Sequence, residues 1–232
     1  VGLFYGFDTY YFIFIIPALL LSMWAQLKVK STYAQYSRVG NARGMTADAA
    51  ARYILDLNGL NYVPVRHISG DLTDHFDPRD NVVNLSDSVY GSSSIAALGV
   101  AAHEVGHAVQ YAQGYSPMKV RAAIIPITNL GSTISIPLIL IGYVLTLPSL
   151  VSIGILLFAT VALFQLVTLP VEFNASNRAI ATLQQQALLT PDELQGTKKV
   201  LSAAAMTYVA ALITSLAQLL RLVLLFGGRR RD

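Results

Sequence analysis

Residues 95–113 read IAALGVAAHEVGHAVQYAQ, nineteen residues with no proline among them. Ser92, Ser93 and Ser94 stand before this run and offer N-cap oxygens, and Gly114 follows as a stop, with Pro117 beyond it. The run therefore predicts a helix. Gly99 and Gly106 each weaken a helix by about 1 kcal/mol relative to alanine. Gly106 is read as a place where another backbone comes close.

Within the run stands His103-Glu104-Val105-Gly106-His107. Residues four apart on a helix lie on one face, one turn above the other, so the two imidazoles can meet one metal ion. Glu104 can reach a water on that ion. This is the H-E-x-x-H spacing of zinc hydrolases, where the glutamate is the general base. The plain alternative is a buried helix with two hydrogen-bonded histidines. Burying two histidines and a glutamate on an alanine-rich helix without a partner charge is costly.

The surrounding composition points to a membrane. Of 232 residues 54% are hydrophobic and only 12% charged, against roughly 25% charged in soluble domains. With no cysteine, disulfides and thiolate metal sites are excluded. The four histidines, 67, 75, 103 and 107, leave a carboxylate as the natural third ligand. The net charge of +3 is small and its cations cluster beside apolar segments, which argues against nucleic-acid binding.

Residues 9–27 carry no charge and are long enough to span a bilayer, with Tyr10, Tyr11 and Trp24 as interfacial aromatics. Pro17 predicts a kink. No basic stretch precedes this segment and no cleavage signal follows it, so it reads as an uncleaved anchor. Residues 28–121 have soluble composition, with nine Lys/Arg and eight Asp/Glu. They predict a helix from Thr46 to about Asn58, strands at 62–68 and 82–86, and a third at 74–77. A strand edge beside the histidine helix would suit an extended peptide, or would be an ordinary hairpin.

Residues 122–171 are fifty residues without Asp, Glu, Lys, Arg or His. They suit a helical hairpin with arms near 124–146 and 150–170, although 122–133 can also be read as an interfacial stretch. Glu172 is the first charge after this run, placed to return to the side of residues 28–121. From placement alone it is either a metal ligand or a carboxylate favoured by a helix N-terminus. Residues 172–199 form a further polar helical part, with a capping box at Thr190-Pro191-Asp192-Glu193. Residues 200–228 are a hydrophobic C-terminal helix, spanning or peripheral. Lys28, Lys30, Lys119, Arg121, Lys198 and Lys199 flank the spans on the side of residues 28–121, which the positive-inside rule places in the cytoplasm of a multi-pass cell-membrane protein. Arg229 to Arg231 disagree if the last segment crosses.

The runs VNLSDSVYGSSSIAALGVAAHEVGHAVQ (83–110), VEFNASNRA (171–179) and LSAAAMTYVAALITSL (201–216) resemble the YugP-type neutral zinc membrane metallopeptidases over nearly the whole chain. The segment EFNAS also resembles the E-x-x-A-D segment of the HtpX-like membrane gluzincins. The resemblance implies that Glu172 is the third zinc ligand, with His103 and His107. At the position where those relatives carry an aspartate that orients a metal-binding histidine, this chain has Ser176, a weaker neutral partner. Asn174 and Asn177 are candidate substitutes. The implied fold is mainly α and integral to the membrane, with helical spans and a small α+β zincin-like catalytic domain.

The expected function is hydrolysis of peptide bonds by zinc-activated water, with Glu104 as general base and membrane-associated proteins or peptides as substrates. His75, Tyr90 and Arg178 are candidate oxyanion or substrate contacts. A non-enzymatic membrane scaffold with a structural metal is the competing class. The charge-free spans count against a transporter.

Overall fold

The computed structural model describes residues 8–226. Arg229, Arg230 and Arg231, and the end of the 200–228 segment, lie outside the described residues. In chain order the elements are α1 (Ile16–Tyr36), preceded by a π-helical turn at Tyr11–Ile15, then α2 (Ala47–Leu57), β1 (Val65–His67), β2 (His75–Asp77), β3 (Val82–Leu85), α3 (Ile95–Ala112), α4 (Ser116–Val144), α5 (Pro148–Gln185) and α6 (Pro191–Phe226). This is a mainly α membrane protein with a small mixed sheet. Among the described residues four helices are long and apolar enough to cross a membrane: Tyr11–Tyr36, Ser116–Val144, Pro148–Gln185 and Pro191–Phe226.

The chain divides into two compact units, at positions that fall inside or beside the long helices. The first comprises residues up to 26, 119–169 and 206 onward; the second comprises 27–118 and 170–205. The helices thus continue through the boundaries that composition alone suggested at 27, 171 and 199.

In the first unit α4 and α5 form the expected hairpin. Their turn lies at Leu145-Thr146-Leu147, and residues 122–133 are unbroken helix within α4. Pro126 and Pro137 lie inside α4. Pro17 has the π-helical turn directly before it; its missing N–H leaves a carbonyl one turn back without its usual partner, and a wider turn is one way to absorb that. The final helix belongs here from Met206 onward and runs antiparallel to α1. Thr214 Oγ1 lies 3.0 Å from Ser22 Oγ, and Arg221 Nε donates to Asp8 Oδ2 at 3.0 Å. Arg221 also lies over the Tyr11 ring, 5.3 Å from its centre. A buried arginine in an apolar bundle requires such partners.

The second unit is organised on α3. Ser94 caps it, its Oγ accepting from the Ala97 N–H at 3.2 Å, and Gly114 ends it in the left-handed region. The sheet has the order β1-β3-β2, with β1 parallel and β2 antiparallel to β3. Val65 pairs with Val83, and Phe76 pairs with Val83 from the other side. The central strand β3 is buried along its whole length, its Val82, Val83 and Leu85 covered together with the polar Asn84. The predicted strands are therefore present but shorter than 62–68 and 82–86. Leu55, Leu85, Ile95, Leu98, Leu183 and Leu188 fill one core among α2, the sheet, α3 and the ends of α5 and α6. The capping box forms: the Thr190 N–H donates to Glu193 Oε2 at 2.8 Å, and the Glu193 N–H to Thr190 Oγ1 at 3.4 Å. Val200 and Leu201 are part of this core, so α6 begins here as a packed helix.

Both glycines of α3 are close-approach sites. A Cβ on Gly99 would lie 2.6 Å from the Thr197 Cγ2 methyl of α6, and one on Gly106 would lie 2.8 Å from the Ala175 carbonyl oxygen of α5. Gly99→Ala is expected to cost about 1–3 kcal/mol, and Thr197→Ser, which deletes the obstructing methyl, should restore most of that loss. Gly106→Ala meets main chain, so no side-chain change at residue 175 should rescue it. Thermal unfolding of these variants in detergent checks both statements.

Candidate metal centre

The helical spacing on α3 places His103 and His107 with ring centres 4.7 Å apart and planes nearly perpendicular, at 86°. Opposite them, α5 carries Glu172, which is only 3% exposed. Its Oε2 lies 3.3 Å from His103 Nε2 and 3.5 Å from His107 Nε2. One ligand atom from each of the three residues falls within 4.8 Å of the others. The close approach of Gly106 to Ala175 makes this possible, because it brings the Glu172 turn of α5 onto the face of α3 that bears the histidines.

Both rings turn Nε2 toward Glu172 and engage Nδ1 on the far side. His103 Nδ1 lies 3.1 Å from Ser176 Oγ, and His107 Nδ1 lies 3.0 Å from Gln110 Oε1. Gln110 is fully buried and donates from Nε2 to the Val171 carbonyl at 2.8 Å and to Asn174 Oδ1 at 2.9 Å. Asn174 Oδ1 also accepts from Arg178 Nε at 2.7 Å. Glu104, between the two histidines in sequence, is buried, and its Oε2 accepts the Phe76 N–H of β2 at 3.0 Å. Strand β2 is an edge of the sheet and packs against α3. The strand read directly before the histidine helix, 82–86, is instead the central β3, buried and paired on both sides, so it offers no free edge.

Charge is concentrated here. Burial by itself lowers the His107 pKa, but the Glu172 hydrogen bond and the nearby Glu104 and Glu172 charges outweigh it and hold the imidazole above its ordinary value. Burial pushes the Asp74 carboxyl up; hydrogen bonds from Ser86 oppose this, and the Glu104 charge adds to it.

The remaining predicted residues are distributed as follows. Ser176 touches His103 directly, and Asn174 reaches His107 through Gln110. Asn177 is exposed. Arg178 is committed through Nε to Asn174. His75 uses both ring nitrogens, at 2.9 Å from the Thr73 carbonyl and 3.1 Å from Asn84 Nδ2. Tyr90 packs against His67, with ring centres 5.0 Å apart. Sequence reading passed over Gln110 and the Phe76 N–H. Gln110 was detectable in principle, as the isolated amide three residues beyond His107 on an apolar helix. The Phe76 N–H was not, because a main-chain donor has no sequence signature.

An apolar helical bundle and a buried His–His–Glu cluster beside a further glutamate define a multi-pass membrane protein with a candidate metal centre. The chain belongs to the family described as "Putative neutral zinc metallopeptidase", whose profile matches residues 11–227. It is 49% identical over 222 residues to a protein of Bacillus subtilis (strain 168) described as "Putative membrane protease YugP", a match covering 95% of this chain and 99% of that one. No solved structure matches the chain. The family read from residues 83–110, 171–179 and 201–216 is the one these comparisons find.

The raised His107 value has a signed consequence. In metal-free protein the folded imidazole holds its proton more tightly than the unfolded one. The stability this contributes is full below the unfolded value of about 6.5 and is lost as pH rises through the higher folded value. Chelator-treated protein should therefore lose thermal stability as pH rises from mildly acid values, and His107→Ala should flatten that slope. Melting curves across this window test it.

Proposed function

We propose that this chain is a zinc metalloendopeptidase of the membrane, with His103, His107 and Glu172 holding the metal and Glu104 acting as general base. The observation that supports it most is the distance of the Glu172 oxygen from each of the two imidazole nitrogens. Tetrahedral zinc with bonds of about 2.0–2.1 Å sets its ligand atoms about 3.4 Å apart. The Glu172 oxygen stands 3.3 and 3.5 Å from the two Nε2 atoms. Two neutral imidazoles and one carboxylate also make a donor set suited to zinc, and three protein ligands leave a position for water. Nearly complete burial of Glu172 fits the same reading, since an ionised carboxylate removed from water needs a strong counter-charge.

When bound, zinc acts as a Lewis acid that lowers the pKa of a water toward roughly 7 and polarises the substrate carbonyl. The residues do the rest. The Phe76 N–H holds Glu104 through Oε2, leaving Oε1 to take the proton as water attacks the peptide carbonyl. Glu104 then delivers that proton to the leaving amine. Ser176 and Gln110 hold the two imidazoles by Nδ1, so that each presents Nε2 to the metal. Substrates are membrane-associated proteins or peptides. Glu172 follows directly on the charge-free run 122–171, and the Bacillus subtilis relative is described as a membrane protease. The second unit faces the cytoplasm, as the cations flanking the spans favour.

Zinc content of detergent-purified wild type, Glu172→Ala and Glu104→Gln, with casein cleavage on the same samples, tests the assignment. One zinc per chain is expected in wild type, lost or much weakened in Glu172→Ala. Glu104→Gln should keep its zinc while losing roughly 10²–10⁴-fold in turnover. Tight zinc in Glu172→Ala would remove Glu172 from the ligand set, and retained turnover in Glu104→Gln would remove the general base. Sidedness has its own test, made clean by the absence of cysteine. Tyr62, 64% exposed in the second unit, replaced by cysteine, should react with an impermeant maleimide in inside-out vesicles and not in intact cells.

A further inference from the structure

Gln110 is fully buried, in a helix whose neighbouring positions are apolar, and every polar atom of its amide is used. The directions of those bonds can be deduced. A main-chain carbonyl only accepts, so the Gln110 atom 2.8 Å from the Val171 oxygen is the NH₂ group. Arginine Nε only donates, so the Asn174 atom 2.7 Å from Arg178 Nε is the oxygen, and that oxygen also faces the Gln110 NH₂ at 2.9 Å. Two partners of unambiguous polarity thus orient the Gln110 amide. Its Oε1 is turned to His107 Nδ1 at 3.0 Å and can only accept there. Nδ1 must then carry a hydrogen, and in the neutral ring the lone pair falls on Nε2, the nitrogen that faces Glu172.

We propose that Gln110 is a positioning residue that sets the tautomer of His107, with Arg178 acting through Asn174 to lock the amide in the required orientation. The two histidines are then unequal. His103 rests on the Ser176 hydroxyl, which can donate or accept and therefore imposes no tautomer. His107 is pre-set as a ligand, and His103 adapts. The same amide binds the carbonyl of Val171, the residue before Glu172, so one side chain ties the ring of one ligand to the backbone beside another. The proposal assigns Arg178 to this chain of bonds rather than to substrate. It rests on the reading of His107 as a metal ligand, but the tautomer itself is a property of the metal-free protein.

The test uses protein of the full sequence labelled with ¹⁵N-histidine, metal-free and at a pH above the His107 titration, which the same spectra locate. Long-range ¹H–¹⁵N correlation spectra report the His107 tautomer in wild type, Gln110→Met and Gln110→Glu. Zinc affinity is measured separately, by competition with a chromophoric chelator. Wild type should show hydrogen on Nδ1. Gln110→Met keeps the packing but removes the acceptor; it should give a mixed tautomer and zinc binding weaker by about 10–100-fold. Gln110→Glu keeps an acceptor and should retain the Nδ1–H form with a smaller affinity loss. A folded Gln110→Met protein with the wild-type tautomer overturns the proposal, even if zinc binding falls, since that loss would then be structural. If Gln110→Met does not fold, Gln110→Leu carries the test, and an unchanged tautomer in it overturns the proposal; an unchanged tautomer in both Asn174→Ala and Arg178→Met overturns the locking role given to those two residues. A wild type that binds no zinc would defeat the metal reading, and the His107 tautomer would still decide the role of Gln110.

Discussion

The candidate centre depends on one close contact between two helices. Where α3 crosses α5, Gly106 has no side chain and the Ala175 backbone occupies the space, with 2.8 Å between a notional Cβ and the carbonyl oxygen. Ala175 is itself fully buried. With larger residues at this crossing the axes would separate, and interaxial distance follows the side chains at the contact. A carboxylate and two imidazoles must share one small volume to act together. The helix weakening caused by Gly106 is offset by this approach, and the same holds at Gly99, where Thr197 of α6 fills the space and its hydroxyl donates to the Ile95 carbonyl at 3.0 Å.

Around that crossing lies an unusually polar interior for so apolar a chain. Glu104, His107, Gln110 and Glu172 are all buried. Groups of this kind are tolerated inside a protein only when their bonds are made. Here each has a partner: Phe76 for Glu104, Gln110 for His107, Val171 and Asn174 for Gln110, and both histidines for Glu172. Every one of these bonds also orients a group of the candidate metal centre. The bonds that make burial tolerable and the bonds that arrange the His–His–Glu cluster are the same set.

The apolar unit follows a simpler logic. The α4–α5 hairpin packs closely enough that a Cβ on Gly154 would lie 2.9 Å from the Ser135 carbonyl oxygen. The last helix lies along α1 and places its one mid-segment cation, Arg221, on Asp8 and over Tyr11. Composition left residues 200–228 open between a spanning and a peripheral reading. The structure divides the helix, with its first turns in the core beside Ile95 and its remainder, from Met206, beside α1. A window of hydropathy cannot separate these halves, because alanine-rich sequence suits a protein core and an apolar bundle equally.

The sequence by itself determined the local features. The H-E-x-x-H spacing placed two imidazoles on one helical face, the serines and Gly114 bounded that helix, the charge-free run of 122–171 set out a hairpin, and Thr190 to Glu193 announced a helix start. Each of these depends on residues a few positions apart, where periodicity and capping act. Only the tertiary structure decided what meets across long separations. Glu172 reaches His107 from 65 positions away, Phe76 reaches Glu104 from 28, and Gln110 joins His107 to α5. His75 and Asn177 are candidates in the sequence, yet one is occupied within the sheet and its loop and the other is exposed. Such choices depend on how closely two helices approach, and that distance is set by the absence of a Cβ at Gly106 together with the packing of everything around it.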